Sequence, residues 1–85
     1  MPYIHQDIRK DLDPHLKKLG ELINTEGELN YAITCLAVMR LKKLTPNYAH
    51  INQIMGVFAC ATQEFYRRIA VPYEESKKFQ NGDAY

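Results

Sequence analysis

Gly27–Lys43, GELNYAITCLAVMRLKK, is the stretch on which the fold turns. Leu29, Ala32, Ile33, Leu36 and Met39 recur at steps of three and four, which predicts a helix with one apolar face. The opposite face is not polar. Tyr31, Cys35, Val38 and Leu41 fall there, interrupted only by Asn30 and Thr34. A helix that is apolar nearly all round is buried on both sides. Three or four helices in one chain of 85 residues do not easily cover both sides. The pattern therefore predicts a homo-oligomer.

Helical spacing continues on either side. Asp13-Pro14 reads as a helix start, an N-cap acceptor followed by proline at the first helical position. Leu16, Leu19, Leu22 and Ile23 follow in register, and DIRKDL before them suits a short helical turn. Residues 1–6 read as extended, with Tyr3 and Ile4 as anchors. Thr45-Pro46 opens a third helix by the same logic, with Ile51, Met55, Phe58, Thr62, Phe65 and Ile69 as its stripe. Gly56 and Cys60 are small and four apart on its far side, where another backbone has room to approach. Pro72 cannot donate to the carbonyl of Arg68, so the third helix is expected either to kink there or to end and restart. Asn81-Gly82 is a stop signal. The expected fold is a single all-α domain over residues 1–85, a small bundle of three to four helices near 14–24, 28–44, 46–71 and 72–80.

Composition narrows the function classes. Eleven Lys and Arg against ten Asp and Glu give no global field for binding a DNA or RNA duplex. No apolar run is long enough to span a bilayer, and the first residues lack the apolar core of a signal peptide. The two cysteines, Cys35 and Cys60, have no Cys-x-x-Cys spacing and lie in apolar stretches, so they read as buried free thiols in a reducing cytoplasm. His5, His15 and His50 are scattered, no metal-ligand spacing occurs, and there is no glycine-rich phosphate loop. Ser76, the only serine, sits in a charged run. These absences point away from an enzyme, a metal or a cofactor, and toward a binding protein.

Two spots carry chemistry. In EFYRRIAVPYEE, Glu64–Glu75, two arginines are flanked by Tyr66 and Tyr73 around Pro72. Glu64 and Arg68 are spaced for a surface ion pair, and Arg67 pairs with Glu64 in the same way or stays solvated. The alternative is a fork for phosphate, with Tyr66 and Tyr73 stacking on rings. Asn30, Tyr31 and Thr34 form the second spot. There Asn30 either bonds backbone near the helix start or, at a subunit junction, meets a base edge or ribose hydroxyl.

Four pieces, MPYI, GELNYAIT, YAHINQIMGVFACATQEFYRRIAVPYE and NGDAY, lie in order over nearly the whole chain. Together they resemble a family of small proteins common in bacteriophage and prophage genomes, whose name implies no activity. Phe58-Ala59 and Ala61-Thr62 depart from the family pattern, which has Leu-Glu and Val-Lys there, so no role resting on that glutamate carries over. Asn30, Tyr31, Thr34, Asn52, Glu64, Tyr66, Arg67, Arg68, Tyr73, Glu74, Asn81, Gly82 and Asp83 match it. The phage setting implies an expectation by analogy: an anti-defence sponge in the host cytoplasm. It would bind and sequester a nucleotide second messenger of host immunity, a cyclic oligonucleotide or an ADP-ribose-derived signal, without cleaving it. The expected ligand-binding residues are Asn30, Tyr31, Thr34, Tyr66, Arg67, Arg68, Tyr73, Asn81 and Asp83. A protein-interaction module that blocks a host factor is the alternative, and an enzyme of phage nucleotide metabolism ranks third.

Overall fold

The computed structural model describes residues 3–85. All regular structure among them is helical, with no strand, as the periodicity predicts. By contact density the chain divides into two units, the first ending at Val38 and the second spanning Met39–Tyr85.

In the first unit, α1 spans Gln6–Leu22. It starts well before Asp13-Pro14, which is therefore not its cap. The start is set instead by His5, extended at φ −61°, ψ 145°, whose ring Nδ1 accepts from the Asp7 N–H at 3.3 Å. Asp7 adds negative charge where the helix dipole is positive. Pro14 lies inside α1, where it lacks the N–H that would reach Lys10. Of the expected extended start, Met1 and Pro2 lie outside the described residues, and Gln6 is already helical. Tyr3 and Ile4 do meet a partner, Arg9. Its Nε donates to the Ile4 carbonyl at 2.8 Å, and its guanidinium lies 5.9 Å from the Tyr3 ring centre. The helix ends as Ile23 turns extended while its N–H still reaches the Leu19 carbonyl at 3.0 Å.

The next helix, α2, spans Glu26–Lys43, and the boundary between the units falls inside it. Its start is a reciprocal cap in Thr25-Glu26-Gly27-Glu28. The Thr25 hydroxyl accepts from the Glu28 N–H at 3.1 Å, and the Glu28 carboxylate accepts from the Asn24 N–H at 2.7 Å. Arg40, Lys42 and Lys43 occupy the last turn, where positive charge suits the dipole.

In the second unit, α3 spans Tyr48–Phe65. Its cap is Asn47, whose side-chain oxygen accepts from the His50 N–H at 2.9 Å, so Thr45-Pro46 precedes the helix rather than opening it. Asparagine at the cap satisfies a donor that proline could only leave out. The chain then passes into a π-helical turn, Tyr66–Ala70, and on into α4, Val71–Asn81. Phe65, Tyr66, Ala70 and Val71 all keep right-handed helical dihedrals. The Val71 N–H reaches back five residues to the Tyr66 carbonyl. One widened turn thus stands immediately before Pro72, where an α-helical ladder would lose a bond. At the far end Gly82 takes φ +82°, favourable only without a Cβ, and its N–H bonds the Lys78 carbonyl at 2.8 Å.

No described side chain is buried. Leu36 on α2 is 49% exposed, and Met55 and Phe65 on α3 are 59% and 67% exposed. These residues belong to the stripes expected to line a bundle core. Cys60 is exposed and Cys35 half-buried, both free, which corrects the expectation of two buried thiols. A Cβ added at Gly56 would meet nothing within 4 Å among the described residues. Among the described residues no helix is long and apolar enough to cross a membrane.

Candidate functional site

In the first unit, Asn30, Tyr31 and Thr34 occupy adjacent turns of α2, and with Glu26 and Gly27 they line a shallow, open concavity. The Thr34 hydroxyl donates to the Asn30 side-chain oxygen at 3.2 Å. The Asn30 side-chain oxygen is thus engaged by another side chain one turn on. Tyr31 is well exposed. A hydrogen bond with the Cys35 side chain, one turn on, holds its hydroxyl above the usual phenol range, and the charge of a Cys35 thiolate adds to the effect. All three residues are thus presented by one rigid helix.

The second unit holds the other candidates. Glu64, on the last turn of α3, grips both arginines: one carboxylate oxygen accepts from Arg67 Nη2 at 2.8 Å and the other from Arg68 Nε at 2.7 Å. Residues three and four apart on a helix are neighbours, so this clamp follows from spacing alone. The hydrogen bonds from Arg67 and then Arg68 pull the Glu64 carboxyl below its ordinary range, desolvation opposes them, and the charges of the two arginines add to the lowering. The arginine side chains remain about 60% exposed. The Tyr66 hydroxyl donates weakly to the Glu74 carboxylate, at 3.3 and 3.4 Å to its two oxygens. The Lys77 ammonium lies 5.6 Å from the Tyr73 ring centre. Asn81 is the last residue of α4. Asp83 accepts from the Tyr85 N–H at 3.0 Å and pairs with Lys78 at 3.4 Å.

The family described as Domain of unknown function (DUF6899) has a model that matches residues 1–84. The chain belongs to the DUF6899 family. No curated protein and no solved structure matches it.

In this DUF6899 chain the nine candidate residues fall in two groups, three on α2 and six from Tyr66 to Asp83. Spacing revealed the Glu64–Arg68 pair. It left the Arg67 link to Glu64 as one of two options, which the geometry resolves. It missed Glu74, Lys77 and Lys78 as partners of Tyr66, Tyr73 and Asp83, although Tyr73 and Lys77 stand four apart on α4. The described residues hold no group of three His, Cys, Asp or Glu side chains that could bind a metal ion. What the arrangement offers chemically is charge and stacking surface: two guanidiniums joined by one carboxylate, with exposed tyrosine rings beside them in sequence.

Proposed function

We propose that this DUF6899 protein is a non-catalytic binding protein that assembles with copies of itself in the host cytoplasm. It sequesters a nucleotide immune signal, a cyclic oligonucleotide or an ADP-ribose-derived molecule, as a phage anti-defence protein. The observation that carries the ligand class is the adjacent, exposed guanidinium pair of Arg67 and Arg68 with Tyr66 and Tyr73 close by in sequence. Guanidiniums bind phosphate oxygens in forked geometry, and tyrosine rings stack on bases. Self-assembly is supported by the exposed apolar residues, among them Leu36 and Met39 on α2 and Met55 and Phe65 on α3.

Thermal denaturation against a panel of cyclic dinucleotides, cyclic trinucleotides and cyclic ADP-ribose isomers tests the ligand class. A true ligand at one hundred times its Kd stabilises by about 2.7 kcal/mol. Its recovery intact after the protein is denatured separates sequestration from hydrolysis. A protein-interaction module that blocks a host factor is the second reading, favoured by the exposed apolar residues on both faces of α2. No stabilisation by any nucleotide of the panel would favour it.

A further inference from the structure

We propose that Glu64 is a built-in competitor for the anion site, a carboxylate that occupies the place of a phosphate between Arg67 and Arg68 until a ligand displaces it. The proposal rests on the reading of this segment as an anion site and adds its regulation. Three observations carry it. The carboxylate uses both of its oxygens, one on each arginine, at 2.8 and 2.7 Å, which is the bridging posture a phosphate would take. The two guanidiniums come from consecutive residues, so whatever bridges them must offer two acceptors on one small group. Glu64 is also the more sheltered member of the cluster, its side chain 33% exposed against 60% and 59% for the arginines. An anion approaching from solvent therefore meets the guanidiniums first and the carboxylate behind them.

The consequence is selective. A weak monoanion gains little by exchanging one carboxylate for another. A group with higher charge, such as a diphosphate, gains an extra charge interaction at each arginine. Glu64 would thus screen the site against ordinary carboxylate metabolites while admitting phosphate esters.

The probe is inorganic pyrophosphate, titrated into the chain and into Glu64→Gln, with helicity and solution mass recorded for both. Glutamine keeps the length and an acceptor oxygen but loses the charge. The expected result is binding about tenfold tighter in Glu64→Gln, the scale of two exposed ion pairs removed from the free state. The gain should vanish in Glu64→Gln combined with Arg67→Ala. Equal or weaker binding by Glu64→Gln would overturn the proposal and make Glu64 a group that holds the arginines in place. So would the absence of pyrophosphate binding by either chain. A measurement on the unaltered chain guards against misfolding of the variant. Carbon-13 titration of the Glu64 carboxyl should show its pKa rising toward the ordinary range when pyrophosphate saturates the site, and no change would count against displacement. Pyrophosphate binding without stabilisation by any nucleotide would leave this inference standing while removing the nucleotide reading.

Discussion

Arg67 and Arg68 both pair with the Glu64 carboxylate, so the protonation of Glu64 breaks two ion pairs at once. The folded-state pKa of Glu64 lies below its unfolded value. Its stabilising contribution is therefore complete above the unfolded pKa and disappears as pH falls through the folded one. Thermal melts of the chain and of Glu64→Gln, taken from about pH 7 to about pH 2.5, should differ at the upper end and converge at the lower. A difference that persists in acid would mean that Glu64 acts through something other than its charge. At the same scale, Arg67→Ala should weaken nucleotide binding ten- to a hundredfold, about 1.5–3 kcal/mol for a lost charge-assisted contact. Tyr66→Phe should matter less than Tyr66→Ala, because stacking needs the ring, and the contact of the hydroxyl to Glu74 is long. Isothermal titration on the three variants gives the values. The Glu64–Arg68 pair was legible in the sequence because helix neighbours at four residues are a local matter. The Tyr66–Glu74 contact was not, because eight residues across a π turn do not follow α-helical spacing.

Helix existence was legible from apolar spacing, but two of the helix starts were not, and the reason is chemical. A proline after Asp or Thr resembles the first position of a helix, yet proline only omits a donor there, whereas a capping side chain satisfies one. His5 and Asn47 supply the caps, and Thr25 with Glu28 supplies a third. Asn47→Ala should accordingly lower stability by about 1 kcal/mol. Asp13→Ala, in the middle of α1, should cost much less. Chemical denaturation at one fixed protein concentration compares the two, and a larger loss at Asp13 would contradict the observed start of α1. Pro72 was recognised as a break in the ladder. The π turn that precedes it was not anticipated, since a hydrogen bond to the fifth residue back leaves no mark in apolar periodicity.

At the scale of the whole molecule, the proposed self-assembly rests on the contrast between composition and exposed surface. Apolar residues make up 46% of the sequence, yet no described side chain is buried. Conformational entropy opposes the ordering of every residue, and burial of apolar surface is the main force that offsets it. The proposed self-assembly would supply surface to cover these exposed apolar residues. The two-sided apolar pattern of α2 is what leads to the expectation of a homo-oligomer, because covering both sides of one helix exceeds what so short a chain easily supplies. Sequence does not give the number of copies in the proposed assembly, since that depends on the angle at which helices cross and not on which residues are apolar. Val38→Glu places a carboxylate on the face of α2 opposite Leu36 and Met39. If that face is covered by another copy, the buried unpaired charge should dissociate the assembly. Light scattering coupled to size separation, on the purified chain at micromolar concentration, measures this directly. The expected mass is at least twice 9.9 kDa, falling toward one chain in Val38→Glu. A folded, helical species with the mass of a single chain would contradict the claim that this protein completes its core with copies of itself.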